Sequence, residues 1–225
     1  MSTAVLRPRN VCFALFVIFA LAPASFAGDI SSHIDRDWLI NSLQNDILGQ
    51  IPDVAVMDNG FVRTDVGDGW SVSGDPPSGL QMSQGRTGYV LGMASRQLQD
   101  VVSSSRWQQI NTACTSVSDY ILDKGVTSYG GYYWGFNYDG SIPESGNYDQ
   151  YDSNYALGIA AVGMAMANAY QVSGQSKYYQ GVTDAWNAID QNMRDNWGNP
   201  ISAMEPDFSD ILQGTQQETR PNMNH

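Results

Sequence analysis

"GGYYWGFNYDG" at residues 130–140 leads, across a short polar gap, into "YDSNYALGIAAVGMAMANAYQVSG" at residues 151–174. Reading these two stretches together decides the fold. The first is aromatic and β-prone and carries "YDGS" as its turn, which spells a tight hairpin. The second is rich in Gly and Ala and apolar on nearly every face, and it ends on Gly174, a residue suited to a helix C-cap. A helix without a polar face is a buried helix. The unit to seek elsewhere is therefore a glycine-aromatic hairpin followed by an inner helix.

The unit recurs. "DNGFVRTDVGDGW" at 58–70 precedes "SQGRTGYVLGMASRQLQ" at 83–99, again Gly-rich and apolar. Amphipathic segments alternate with these at 38–51, 106–125 and 176–198. In the second of them Trp107, Ile110, Cys114, Val117 and Ile121 recur at helical spacing, as expected of an outer helix resting on an inner one. Gly60, Gly131 and Gly198 stand 71 and 67 residues apart, and a further 26, 23 and 27 residues reach Arg86, Asn154 and His225. Outer helix, hairpin loop and inner helix thus occur three times, the third cut short. One such pair cannot bury its own apolar face, so pairs stack or close into a ring. Buried inner helices favour an all-α toroid with the hairpins at one end, beside the helix N-termini.

Arg7 and Arg9 precede the apolar run "VCFALFVIFALA" and the small residues of "PASFAG". This pattern predicts a signal peptide over 1–27, cleaved before Gly28, and a secreted or periplasmic domain over 28–225. The apolar run is short for a membrane span, so no membrane association is expected after cleavage; an uncleaved anchor is the alternative. Residues 1–27 hold two arginines and no acids, so cleavage takes the formal charge from −12 to −14. Such acidity argues against a nucleic-acid partner or an anionic membrane surface. Cys114 is the one cysteine of 28–225, which rules out an internal disulfide there and a cysteine-rich metal site.

Helix N-termini offer free N–H groups and a field that favours negative charge. Aromatic hairpins around them supply faces on which sugar rings stack. The repeat brings Arg86, Tyr151, Asp152, Asn154 and His225 to this end. No nucleotide-binding, Walker or zinc-protease motif occurs elsewhere.

"NGF…W…LQMSQGR…YVLGMA", "GGYYWGFNYDG" and "ETRPNMNH" together resemble the N-acylglucosamine 2-epimerase superfamily, which includes cellobiose 2-epimerases and mannose isomerases and is built as (α/α)6 barrels. The resemblance runs over about residues 38–225. Its more specific parts are Gln84 and Arg86 opening one inner helix, and Asn222 and His225 opening another. It implies a sugar epimerase or isomerase acting on a free mono- or disaccharide. A base removes the C2 proton of the open-chain sugar, and the resulting enediolate is reprotonated. That chemistry needs a base with pKa near working pH and donors on the enolate oxygen. It calls for no metal or organic cofactor. Carried over, Arg86 and His225 are the catalytic candidates, and Trp134, Tyr133, Tyr151, Asn154 and Asn222 bind substrate. Members of the superfamily are nearly twice as long, so the resemblance implies a partial barrel that stops at its third inner helix. The family's two proton-transferring histidines fall in the half this sequence does not contain. Ser153-Asn154-Tyr155 also departs from the family's usual opening of the second inner helix.

Two other readings use the same toroid. A glycoside or unsaturated-uronide hydrolase would take Asp149 or Asp152 as acid and Glu205 or Asp207 as partner. A non-catalytic sugar-binding remnant would need only the aromatics and Arg86. Plainer roles stand beside all of these. Asp149 and Asp152 suit helix N-caps, Met164 and Met166 suit core filling, and Arg86 suits an ion pair with an acid such as Asp58. His33 reads as a solvated residue.

Overall fold

The computed structural model describes residues 41, 50–63, 79–142 and 151–212. The chain divides into two compact units, Met1–Leu43 and Gln44–His225. Of the first only Asn41, a helical residue, is described, and all that follows concerns the second. Four helices dominate it: α1 (Gln81–Leu98), α2 (Ser104–Lys124), α3 (Ala156–Ser173) and α4 (Ser176–Asn187), the last running into a π-turn at Ala188–Asn192. Two-residue strands β1 (Gly79–Leu80) and β2 (Gly135–Phe136) pair antiparallel, as do β3 (Asn154–Tyr155) and β4 (Ala203–Met204). Among the described residues no helix is long and apolar enough to cross a membrane.

The helices expected at 83–99 and 106–125 begin two residues early and end within one residue of the expected position. Ser103 caps α2, its hydroxyl accepting from the Arg106 N–H at 3.3 Å. Two boundaries differ. Residues 151–153 form a turn and 154–155 a strand, so α3 starts five residues later than the composition suggested. The helix expected over 176–198 ends at Asn187, with its π-turn reaching Asn192. Beyond it the Asp195 carboxylate accepts from the Trp197 and Asn199 backbone N–H groups, and this local turn competes with continued helix.

Inner helices α1 and α3 meet along a glycine face. A Cβ placed on Gly85 would lie 2.5 Å from the Ala161 carbonyl carbon; on Gly88, 2.9 Å from Ala165 Cβ; on Gly92, 2.4 Å from Asn168 Cβ. Glycine at these positions is what lets the two backbones approach. Outer helix α2 packs on both inner helices and buries Ile110, Cys114, Val117 and Ile121 completely. Trp107, half-buried, donates from Nε1 to the Ser95 carbonyl at 3.0 Å. Outer helix α4 packs on α3 through Tyr178, Gly181 and Ala185. Met166 fills the core beside Gly181, whereas Met164 is 41% exposed and is not core filler: it lies about 160° round the α-helix from Met166.

The repeat is visible in the backbone. Antiparallel bridges close three loops at Val56↔Val62, Val126↔Tyr132 and Arg194↔Pro200. In each, a glycine with positive φ donates back three residues: Gly60 to Met57, Gly130 to Thr127 and Gly198 to Asp195. The equivalent glycines are therefore 70 and 68 residues apart, with Gly130 in place of the expected Gly131. Each inner helix start is sewn to the loop of the following repeat. Gln81 N–H donates to the Trp134 carbonyl, and Ala156 N–H to that of Ser202. Among the described residues Phe208 alone combines a side chain with positive φ, at +61°. That conformation costs on the order of 1–3 kcal/mol.

Candidate functional site

The inner-helix ends are held by two buried carboxamides. Gln84 Oε1 accepts from the Val62 N–H at 3.1 Å and Nε2 donates to the Val62 carbonyl at 3.2 Å. Asn154 Oδ1 accepts from the Tyr132 N–H at 2.9 Å, and Tyr132 is the residue two past Gly130 as Val62 is two past Gly60. Asn154 Nδ2 donates to the carbonyls of Glu205 and Pro206 at 3.1 and 2.9 Å. Both amides are fully buried. The Asn154 carboxamide is committed on both sides, so its role here is to join two loops to the start of α3. A Cβ on Gly131 would fall 2.0 Å from Asn154 Oδ1, which explains the second glycine of the Gly-Gly pair.

The aromatics divide into two groups. The Trp134 and Tyr155 rings lie 4.4 Å apart at 33°, and the indole also rests on Gly158, where a Cβ would meet it at 3.1 Å. Tyr151 presses on Gly135, and its carbonyl accepts from the Gly135 N–H at 3.0 Å. Trp134, Tyr151 and Tyr155 thus gather at the opening of α3, all half-buried. Tyr133 turns away and packs on the core cluster of Phe61, Tyr120 and Phe136. Sequence reasoning missed Tyr155. The available signal was Gly158 three residues on, which leaves the helix surface flat enough for a ring.

Arg86 is exposed on α1 and forms neither the Asp58 ion pair nor any other among the described residues. It shares a helix face, by spacing, with Met82, Tyr89 and Met93, none of them buried. The N-caps Leu80 and Tyr155 are equivalent, so Arg86 stands level with Ala161, and Asn154 with Gly79. Asp152 is exposed in the 151–153 turn and does not cap α3, whose N-cap is Tyr155. Hydrogen bonds from Ser209, the hydroxyl first and then the backbone N–H, hold the Asp207 carboxyl below its usual range. His225, Asn222, Asp149 and His33 lie outside the described residues.

Behind Trp134 sits Gln81, fully buried, with neither amide atom hydrogen-bonded; Nε2 lies against Gly125. Among the described residues no group of His, Cys, Asp and Glu is arranged to hold a metal. A shallow groove lined by Asp53, Met57, Asp58, Gln108 and Thr112 runs along outer helix α2 rather than at the inner-helix ends.

No family model matches the sequence, and no curated protein matches it. Solved structures do match. Cellobiose 2-epimerase from Spirochaeta thermophila DSM 6192 superposes with a TM-score of 0.64 at 16% identity, over 84% of this chain and 43% of that one. A D-mannose isomerase gives 0.63 at 16% identity, over 80% and 42%. An unsaturated glucuronyl hydrolase specific for heparin gives 0.57 at 12% identity, over 85% and 48%. The shared feature is the fold, helical pairs of the (α/α)-barrel type. The chain spans less than half the length of the structures it matches.

Proposed function

We propose that these repeats form the sugar-binding part of a carbohydrate epimerase or isomerase. The observation that carries this reading is the Trp134–Tyr155 pair, a half-exposed aromatic shelf at the mouth of the inner helices in a fold shared with such enzymes. A sugar ring presents an apolar C–H face that stacks on such a shelf, while its hydroxyls remain free for polar groups. Arg86 supplies a positive charge on the exposed face of α1 that would stabilise the negative oxygen of an enediolate. In the proposed reaction a base takes the C2 proton of the open-chain sugar. Return of a proton to C2 from the other face gives the epimer, and to C1 the ketose. His225, Asn222 and Tyr151 complete the proposed set, and Tyr133, packed on the Phe61–Tyr120–Phe136 cluster, drops out of it. Asn154 enters it through the loops it ties. With residues 1–27 as an export signal, a free mono- or disaccharide is the substrate, because phosphorylated and nucleotide-linked sugars are scarce outside the cytoplasm.

The hydrolase alternative finds less support. The Asp207 carboxylate, the partner in that reading, is engaged by Ser209 within its own turn, and Asp152, the described candidate acid, is exposed rather than buried in the way that raises an acid's pKa. Titration with cellobiose and with D-mannose, read by tryptophan fluorescence, tests the binding claim. Trp134→Ala is expected to weaken binding about tenfold or more. Failure of both sugars to bind the unmodified protein would end the sugar reading. Deuterium uptake at C2 in heavy water, lost in Arg86→Ala and kept in Asp152→Asn, is the isomerase outcome. Glycosidic cleavage lost in Asp152→Asn is the hydrolase outcome.

A further inference from the structure

The third loop repeats the turn of the second but places a different residue at its left-handed position. Met204 stands where Phe136 stands, because each pairs with the first residue of the strand before an inner helix. Counting on from there aligns Asn137-Tyr138-Asp139-Gly140-Ser141 with Glu205-Pro206-Asp207-Phe208-Ser209. Two bonds of the turn recur, although its closing bond shifts by one residue, from Asn137 N–H to the Ser141 carbonyl in the second loop to Glu205 N–H to the Asp210 carbonyl in the third. Gly140 N–H donates to the Asn137 carbonyl at 2.8 Å, and Phe208 N–H to that of Glu205 at 3.0 Å. The Asp139 carboxylate accepts from the Ser141 N–H at 2.9 Å, and that of Asp207 from the Ser209 N–H at 3.0 Å. Gly140 has φ +86° and Phe208 φ +61°. A phenylalanine thus occupies a left-handed position that the preceding repeat gives to glycine.

The ring shows what the strained position achieves. Phe208 Cζ would lie 2.7 Å from a Cβ on Gly131, on the same backbone atom that the Asn154 carboxamide crowds. The two carbonyls that receive Asn154 Nδ2, of Glu205 and Pro206, belong to the turn that carries Phe208. Asn154 is followed by Tyr155, whose ring stacks on Trp134. In the second loop the equivalent residue, Gly140, rests on the Lys124 side chain.

We infer that Phe208 is a positioning residue: its ring clamps Gly131 against the Asn154 carboxamide and so sets the Trp134–Tyr155 shelf. The inference deepens the sugar reading and rests on it for the ligand, but the clamp itself is testable without sugar. Strain held at one residue persists where neighbouring contacts over-determine it, and such residues gather around ligand-binding geometry.

Phe208→Gly relieves the backbone and removes the ring, while Phe208→Tyr keeps the ring. The first readout is the near-ultraviolet circular dichroism and emission of Trp134, isolated as the difference from the same variants carrying Trp134→Phe. Phe208→Gly is expected to red-shift the emission and to diminish the dichroic band, with Phe208→Tyr restoring both. An unchanged Trp134 signal in a folded Phe208→Gly protein overturns the clamp. The second readout is titration with cellobiose and with D-mannose. Phe208→Gly is expected to raise the dissociation constant about tenfold and Phe208→Tyr to leave it within about twofold. Equal affinity in all three proteins overturns the positioning role. Absence of sugar binding in the unmodified protein overturns the sugar reading, and the spectroscopic result still decides the clamp.

Discussion

The openings of α1 and α3 are backbone copies with different side chains. Each begins with a two-residue strand, has no side-chain cap, and gives its first N–H to the next loop. Each needs a carboxamide on the backbone two residues past the loop glycine. At α1 this comes from Gln84, four residues into the segment that starts with Leu80. At α3 it comes from Asn154, one residue before the N-cap. A longer side chain from inside the helix and a shorter one from outside reach the same place. The repeat thus preserves a backbone requirement rather than a residue, and helices α1 and α3 are related without being interchangeable.

The largest expected effect tests the face on which they meet. Gly85→Val drives a side chain into the Ala161 backbone and is expected to cost about 3–5 kcal/mol in denaturant unfolding. Ala160→Val, at the level of Gly85 on the exposed side of α3, is expected to stay within about 0.5 kcal/mol. Equal losses would mean the two helices are not offset copies. Next come the clamps. Gln84→Ala strands the Val62 N–H and carbonyl, and Asn154→Ala the Tyr132 N–H, each at about 2–4 kcal/mol by the same unfolding measurement. A negligible loss at either position would break the proposed equivalence.

Gln81 sharpens the contrast within one helix. It is as buried as Gln84 but unpartnered, so Gln81→Leu is expected to raise stability by about 1 kcal/mol, seen as a higher denaturant midpoint. A last contrast lies on α2 and is absent at neutral pH. Burial pushes the Cys114 thiol up to about 12, with Arg96 pulling weakly the other way. The unfolded thiol ionises from about pH 9 while the folded one stays protonated, so its contribution is complete below pH 9 and is lost between 9 and 12. Cys114→Ala is expected to flatten the fall of stability with pH in that window, by at most about 1.4 kcal/mol per unit. An unchanged slope would assign the alkaline loss to the buried Tyr120, Tyr132 and Tyr178, whose pKa values burial also raises.

What the sequence disclosed was local. Hydrophobic spacing located the body of α2 through Ile110, Cys114, Val117 and Ile121, and Gly174 marked the end of α3 with φ +69°. The third loop and its repeat were legible from glycines. The repeat register was not, because Gly130 and Gly131 are glycines for different reasons. One serves a positive φ; the other admits the Asn154 amide and the Phe208 ring, contacts made by residues 23 and 77 positions away. The same holds at the site. Trp134 and Tyr151 announce themselves as aromatics near turns, whereas the commitment of Asn154 and the stacking of Tyr155 depend on a strand that forms only with β4.

The seams between repeats also set an order of events. Gly79 and Leu80 find their partners only once Gly135 and Phe136 exist, and Asn154 and Tyr155 wait in the same way for Ala203 and Met204. A chain emerging from the ribosome therefore always carries one unpaired strand, closed when the next outer helix has been made. Assembly proceeds like a zip whose teeth engage one repeat late, and each inner helix becomes fully anchored only when its successor's loop arrives.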